Sequence, residues 1–278
     1  MKINLWGVRG SIPTSSPDTK YYGGNTSCTL VTEDATTLIL DAGTGIQYYN
    51  SHAIPVNKRI DILLTHLHMD HIQGLGFFNP FFNPELEIHI WGPTSSSQSL
   101  HSRLSRYLSP PLFPVRLRDL PCKLILHEIG NTVFDIGHFK IQSAYLIHPG
   151  PTVGYRVIGN QSVYAYLPDH EPALGRNGML HDKKWISGYD LALNTDLLYH
   201  DGQYTAQEYV NRKGWGHSSF DDALLFSSLA GVKHLLIGHH DPLHTDLQLH
   251  EMFNDLKNNN NYKFNYEMAI EGIEINLP

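Results

Sequence analysis

Short apolar runs separated by turn residues recur along most of the chain. Such runs, rich in Ile, Leu, Val, Tyr and Phe and bounded by Gly, Pro, Asn or Asp, are typical of β-strands. Three longer segments have helical patterns, at 97–108, 220–230 and 246–257. The alternation predicts an α/β fold, with strands at 2–8, 27–32, 37–40, 62–64, 86–91, 122–129, 132–136, 139–147, 154–158, 162–167, 233–237 and 262–277.

The composition allows one large core. The chain has 278 residues, of which 41% are hydrophobic and 11% aromatic, and no segment has the composition of a linker, so we expect a single domain over residues 1–278. The formal net charge of −7 argues against a chain-wide basic surface for nucleic acid. The two cysteines, Cys28 and Cys122, do not imply a disulfide framework. We find no secretory signal and no run of about 18 apolar residues, so we expect a cytoplasmic protein without a membrane partner.

The strand at 62–64 is followed at once by residue types that bind metals. His66 and His68 lie on an extended segment and point to the same side, because side chains alternate faces there. Asp70 and His71 fall where the chain leaves the strand. Neutral imidazole suits zinc, iron and manganese, and a carboxylate adds a harder oxygen ligand. A metal-free cluster of three buried imidazoles would be costly to satisfy, so this strand end predicts a site for two metal ions.

Four more strand ends carry a histidine or an aspartate, namely Asp41, His148, Asp169 and His239. Loops at strand ends, carried by a rigid scaffold, are where functional sites are commonly built. Because five such places occur in one chain, we expect them to form one shared site. For Asp41 we expect a hydrogen bond from a ligand histidine that fixes its tautomer. An Asx-turn or a helix cap is the alternative for that residue.

In this order and spacing, these residues resemble the metallo-β-lactamase superfamily. The resemblance rests on H-x-H-x-D-H at 66–71, then His148, Asp169 and His239, with Asp41 upstream. It implies an αββα sandwich of two mixed β-sheets flanked by helices, with the site at one edge of the sheets. It further implies a first metal held by His66, His68 and His148, a second metal held by Asp70, His71 and His239, and Asp169 as the bridging ligand.

Within the superfamily, three stretches resemble the tRNA 3′-end endonuclease and small phosphodiesterase branch. They are GVRGSIP followed by GGNTSC near the start, His200-Asp201, and the G-H-S-S element at 216–219. The chain also has an aspartate, Asp169, rather than a cysteine at the bridging position, and in this it resembles the phosphodiesterase branches more than the antibiotic-degrading ones. In that branch the histidine of the G-H-S element lies beside the scissile phosphate and is paired with an acid. The resemblance therefore implies His217 as proton donor or phosphate contact and Asp201 as its partner, so that Asp169, His217 and Asp201 are the expected catalytic residues.

One departure from the endonucleases concerns the substrate. The chain lacks a long Gly- and Lys/Arg-rich insertion of the kind that grips tRNA, and its net charge is −7. We therefore predict a dinuclear-metal phosphodiesterase acting on a small phosphodiester, with cyclic nucleotides as the obvious class and large nucleic acids as the less favoured partners. We expect two divalent ions, Zn²⁺ first with Mn²⁺ or Fe as alternatives, and a hydroxide between them that attacks phosphorus. A homodimer is a reasonable expectation.

Other activities fit the same ligand pattern. One alternative is an RNA- or tRNA-processing nuclease, and another is a thioester, lactone or glutathione-conjugate hydrolase. A redox-active di-iron protein and a metal-bearing module without turnover are a third class. Two residue assignments also stay open. The last ligand is His239 or the adjacent His240, of which we favour His239, and Arg9 is either a contact to the substrate phosphate or a surface arginine beside a turn.

Overall fold

The computed structural model describes residues 1–52, 54–174 and 178–278. Its strands form two seven-stranded β-sheets. The strands are β1 (Lys2–Gly7), β2 (Cys28–Glu33), β3 (Thr36–Leu40), β4 (Arg59–Leu63), β5 (Glu87–Pro93), β6 (Lys123–Ile129), β7 (Thr132–Ile136), β8 (Phe139–Tyr145), β9 (Val153–Ile158), β10 (Val163–Leu167), β11 (Leu197–Asp201), β12 (His234–Gly238), β13 (Asn265–Met268) and β14 (Glu274–Asn276).

Both sheets combine an antiparallel half with a parallel half. The first has the strand order β14-β1-β2-β3-β4-β5-β6, and the second has the order β13-β12-β11-β10-β9-β8-β7. In the first sheet, β14, β1, β2 and β3 pair antiparallel, and the pairs from β3 to β6 are parallel. In the second, β7 to β10 pair antiparallel, and the pairs from β10 to β13 are parallel. The predicted hairpin of β9 and β10 is confirmed.

Helices cover the outer faces of the sheets, which confirms the predicted αββα sandwich. They are α1 (Met69–Ile72), α2 (Leu100–Leu104), α3 (Tyr189–Ala192), α4 (Ala206–Tyr209), α5 (Phe220–Ala230) and α6 (Asp246–Asn259). Ser219 caps the N-terminus of α5 by accepting from the Asp222 amide, and Gly231 ends the helix in the left-handed conformation. None of the helices in the described ranges is both long and apolar enough to span a bilayer.

The alternation of side chains along the strands creates three apolar layers. On β3, Leu38 and Leu40 pack between the two sheets, whereas Ile39 faces the helices on the outer side. On β12, Leu236 packs between the sheets and Leu235 faces α5 and α6. Because both faces of these central strands are buried, their sequences are continuous apolar runs. Each fully buried side chain of this size stabilises the fold by about 1.5–3 kcal/mol.

Two sequence predictions about elements were wrong. The segment 262–277 is not one closing strand: β13 pairs with β12 in the second sheet, and β14 pairs with β1 in the first. The chain crosses between the sheets at a turn with Gly272 at a φ of +85°. The helix predicted at 97–108 ends at Leu104. The Ser109 hydroxyl donates to the Ser105 carbonyl at the point where helical hydrogen bonds would have to continue.

Candidate metal centre

All the metal ligands predicted from the sequence lie at one edge of the sandwich. This edge is formed by the carboxyl ends of parallel and adjacent strands, where polar side chains from distant parts of the chain converge. The loop after β4 supplies two of them, the next helix, α1, supplies two more, and the ends of three further strands supply one each. The residues so collected are His66 and His68 after β4, Asp70 and His71 on α1, His148 after β8, Asp169 after β10, and His239 after β12.

The ligand atoms fall into two groups that share one carboxylate. Within each group the atoms lie within 4.8 Å of one another: His66, His68, His148 and Asp169 form the first group, and Asp70, His71 and His239 form the second. Asp169 Oδ2 lies 3.6 Å from the Nε2 atoms of both His66 and His148. Asp169 Oδ1 lies 3.0 Å from His71 Nε2 and 3.2 Å from His239 Nε2. The two oxygens of Asp169 therefore face different groups, as a bridging carboxylate would.

Unpaired buried atoms show that this cluster fits metal ions. His66 Nε2, His71 Nε2 and Asp169 Oδ1 are buried and have no hydrogen-bond partner among the described residues. Burying a polar atom without a partner costs free energy, and native structures rarely tolerate several such atoms at one point. Divalent ions would satisfy these atoms, and zinc, manganese and iron all accept mixed imidazole and carboxylate ligands. The residues present therefore fit a pair of divalent ions.

The protonation states also suit metal binding. Burial lowers the pKa of His66 and that of His148, which favours the neutral imidazole that binds metals. Burial raises the pKa of Asp169, but neighbouring imidazoles, His239 first, outweigh it and hold that pKa well below its ordinary value. At His71 burial lowers the pKa, but the carboxylates around it outweigh this and raise it. The site thus attracts positive charge, which a metal ion would supply in place of a proton.

Two ligand histidines have their orientation fixed by hydrogen bonds on the far side of the ring. His71 Nδ1 donates to Asp41 Oδ2 at 2.8 Å, so its Nε2 faces the cluster. Asp41 Oδ1 is itself held by the amide of Thr65 at 2.7 Å. His148 Nδ1 donates to the Gly216 carbonyl at 2.8 Å. A side chain at position 216 would place a Cβ atom 2.3 Å from His148 Nδ1, so this close approach, at a φ of +93°, requires glycine.

His217 and Asp201 form a pair beside this cluster. His217 Nδ1 donates to Asp201 Oδ2 at 2.7 Å and lies 4.0 Å from Asp169 Oδ2. Burial lowers the pKa of His217, but Asp201 outweighs burial and raises the pKa to about 9. The Asp201 carboxylate is held in place by three further donors, the backbone amides of His170, Gln203 and Ser218.

His217 is also close enough to be considered a metal ligand. One of its ring nitrogens lies within 4.8 Å of ligand atoms of Asp169 and His239. The two groups of ligands, however, already supply four donors each when Asp169 is counted in both, which is the usual number for zinc. The bond from Nδ1 to Asp201 leaves only Nε2 available, and this atom can serve either role.

Sequence reasoning missed residues that shape the site from behind. The buried Glu171 accepts hydrogen bonds from the amides of Gly214 and Gly216 at 2.8 and 2.7 Å and from the Tyr209 hydroxyl at 2.8 Å. It therefore holds the segment that carries His217 and the carbonyl that orients His148. The only sequence signal was an acid two positions after Asp169, because its partners are 38 to 45 positions away.

Arg9 corrects an expectation, since it is neither exposed nor a phosphate contact. Its side chain is 0% exposed and lies 3.8 Å from Asp246. Its guanidinium donates to the backbone carbonyl of Gly23 in one loop and to those of Asp241 and His244 in another. The arginine therefore joins these two loops. The structure also separates the adjacent histidines: His239 faces Asp70, whereas His240 Nε2 donates to the Ala269 carbonyl at 2.8 Å, away from the cluster.

A cleft of about 300 Å³ opens beside His66 and His68. Its volume is at the lower end of the range for small-molecule sites. Its walls are mainly apolar, and two arginines, Arg103 and Arg106, add positive charge. The remaining lining residues are Leu67, Met69, Ile72, Tyr107, Leu112, Pro149, Gly150 and Pro151.

Comparisons with known proteins identify the family. The model of the β-lactamase superfamily domain matches residues 36–240, which include every candidate ligand. Ribonuclease Z of Staphylococcus aureus (strain Newman) is 21% identical, over 99% of this chain and 100% of the relative. Human tRNase Z, short form, superposes with a TM-score of 0.70 at 21% identity, over 100% of both chains. A diphosphatase of the PhnP family superposes with a TM-score of 0.69 at 16% identity, over 100% of this chain and 98% of the other. The chain belongs to the metallo-β-lactamase superfamily and is a metal-dependent hydrolase.

Proposed function

We propose that the chain hydrolyses a small phosphodiester, with cyclic nucleotides as the leading substrate class. The observation that carries this proposal is the Asp201–His217 pair, which lies 4.0 Å from Asp169 at the edge of the ligand cluster. Hydrolysis of a thioester expels a thiolate, which leaves as a stable anion and does not require a separate proton donor to the same degree. A phosphodiester with a sugar hydroxyl as leaving group does.

The ligand assignment follows the two groups of atoms. His66, His68 and His148 would hold the first ion, and Asp169 would contribute an oxygen to each centre. Two divalent ions, Zn²⁺ as the first candidate, would supply a nucleophile at neutral pH and offset charge on the phosphoryl oxygens. The second ion would be held by Asp70, His71 and His239.

His217 would act on the leaving group. Because Nδ1 donates to Asp201, Nε2 is the atom that can carry a proton toward the substrate. Transfer of that proton to the leaving alkoxide contributes typically about 10² to 10⁴ in rate. Asp201 keeps the ring in the correct tautomer before and after the transfer, since four N–H donors fix its own carboxylate.

Four observations support a small substrate. The cleft beside His66 and His68 has a volume of about 300 Å³. The net charge of the chain is −7. The alignment with ribonuclease Z extends over 319 positions, more than the 278 residues of this chain, so that relative carries segments that this chain lacks. A long basic arm is also missing among the described residues.

An RNA-processing nuclease is the second candidate. The similarity to ribonuclease Z over 99% of this chain favours it, and the same ligand cluster and proton donor would serve it. Cleavage of a structured RNA would depend strongly on salt, because basic side chains that contact phosphates release counterions. Hydrolysis of a small diester would show only a weak dependence.

One assay of catalytic turnover on several substrates distinguishes these candidates. The protein, supplied with zinc or manganese, is incubated with 3′,5′-cyclic AMP and GMP, 2′,3′-cyclic nucleotides, a linear dinucleotide and a precursor tRNA, and the products are separated by mass. The proposal expects one of the small diesters to be converted to a monoester at ordinary enzymatic rates. Salt-sensitive cleavage of the precursor tRNA alone would select the nuclease instead. A thioester is assayed alongside these substrates, and its consumption with no phosphodiester consumed would refute both.

A further inference from the structure

The segment from Arg212 to His217 presents an exposed tryptophan on a rigid support. Trp215 is 55% exposed, which alone is ordinary for a surface residue. Its support is not ordinary, because the buried Glu171 binds the amides on both sides of it, those of Gly214 and Gly216. These glycines adopt φ values of +85° and +93°, which turn the chain so that residue 215 forms the tip. The backbone of residue 215 is therefore held at a defined place, two residues before His217.

Arg212 lies between this tryptophan and the site. Its guanidinium carbon is 4.7 Å from the centre of the Trp215 ring and 5.7 Å from that of Tyr204. The Tyr204 ring lies 6.0 Å from the His217 ring. Stacking on aromatic faces positions the cation without using its N–H donors. None of the hydrogen bonds and ion pairs within the described residues involves this guanidinium, so its donors point to no protein acceptor there.

We infer that Arg212 and Trp215 form a subsite for the leaving group of the diester, and that this subsite takes a nucleotide. Trp215 would stack on the base, a contact that every base can make. Arg212 would bind a second phosphate on the same nucleotide through charge-assisted hydrogen bonds. The inference rests on the proposed function, because His217 is there the proton donor to the leaving alkoxide and this subsite adjoins His217.

The proposed subsite should distinguish diesters by what they carry on the leaving side of the phosphate. A linear dinucleotide places a complete second nucleotide on the leaving side, whereas a methyl ester of a nucleotide with methanol as the leaving group places nothing there. A terminal phosphate on the leaving nucleotide adds a partner for Arg212. The subsite therefore predicts that KM is lowest for a dinucleotide that carries this phosphate.

The test compares ApA, pApA and ApAp with adenosine monophosphate methyl ester, and the masses of the products show which nucleotide leaves. Trp215→Ala should raise KM for all three dinucleotides by roughly 10- to 100-fold, as expected for the loss of one base–aromatic stack. Arg212→Gln should raise KM by about tenfold only for the dinucleotide whose leaving nucleotide has the terminal phosphate. Both variants should hydrolyse the methyl ester as the wild-type protein does.

Two matched controls accompany these variants. Trp185→Ala removes another exposed tryptophan, 76% exposed. Arg118→Gln removes an exposed arginine that lies beside Asp119 at 3.7 Å. Both should leave all four KM values unchanged. Dinucleotide KM values unaffected by Trp215→Ala, or a loss of equal size on the methyl ester, would overturn the inference.

A binding titration tests the nucleotide subsite independently of the proposed phosphodiesterase activity. Quenching of tryptophan fluorescence by 5′-AMP should occur in the wild-type and Trp185→Ala proteins and be lost in Trp215→Ala. If the protein hydrolyses none of the diesters but shows this pattern, the subsite stands and the phosphodiesterase activity is refuted. If the diesters are hydrolysed and 5′-AMP quenches Trp215→Ala as strongly as the wild type, the subsite is refuted alone.

Discussion

Replacing His217 should damage reactions with poor leaving groups selectively. His217 Nδ1 is tied to Asp201 at 2.7 Å, so the side chain can deliver a proton only through Nε2. His217→Ala removes that proton, and turnover of a cyclic nucleotide or dinucleotide should fall by about 10² to 10⁴. This loss corresponds to about 3–5 kcal/mol of transition-state free energy. Hydrolysis of bis(p-nitrophenyl) phosphate should fall much less, because p-nitrophenolate leaves as a stable anion without a proton.

The assay measures kcat for both substrates and the metal content of each protein. The variant should retain its metal, since the two groups of ligands are complete without His217. His250→Ala, which removes an exposed histidine on α6, serves as the control and should behave as the wild type. An equal loss on both substrates, or loss of a metal ion from His217→Ala, would show that His217 is a ligand or a structural residue rather than the proton donor.

The remaining predictions concern the centre and its support. His68→Ala should bind one metal ion fewer per chain and lose turnover, as measured by atomic spectroscopy and the diester assay; full metal content would contradict its assignment. Glu171→Gln should weaken metal binding by roughly 10- to 100-fold, because the carbonyl that orients His148 is no longer held. A metal titration measures this affinity, and an affinity equal to that of the wild type would contradict the role of Glu171. Arg9→Met should lower the free energy of unfolding by about 3–5 kcal/mol in urea, since the buried hydrogen bonds and ion pair are lost. Arg118→Gln, its exposed control, should change that free energy by less than about 0.5 kcal/mol.

Much of the scaffold is predictable because it depends on local patterns. Apolar runs mark the central strands, and polar residues directly after them mark the edge where the strands end. This is why the residues from His66 to His71 could be assigned to one strand end before their partners were known. The same logic places Asp41 and Asp169, and the structure brings both into the cluster, where Asp41 accepts a hydrogen bond from His71.

The errors arise where structure depends on partners far away in the sequence. Arg9 follows a strand and a glycine, which indicates an exposed turn, yet its acceptors include carbonyls 232 and 235 positions away. The segment 262–277 alternates apolar and polar residues on both sides of Gly272, with a change of phase at that glycine, and the strand pairing shows that the two parts belong to different sheets. Glu171 has no pattern of its own, because its role depends on the amides of Gly214 and Gly216. Such contacts become visible only in three dimensions.

The central claim, a phosphodiesterase that depends on two metal ions, is tested most directly by one titration. The protein is stripped of metal with a chelator, and hydrolysis of the small diesters is measured as zinc or manganese is added back per chain. The account predicts no turnover in the stripped protein and a monoester product whose rate of formation levels off at two bound ions. Two bound ions with no diester consumed, or hydrolysis that persists without metal, would contradict it.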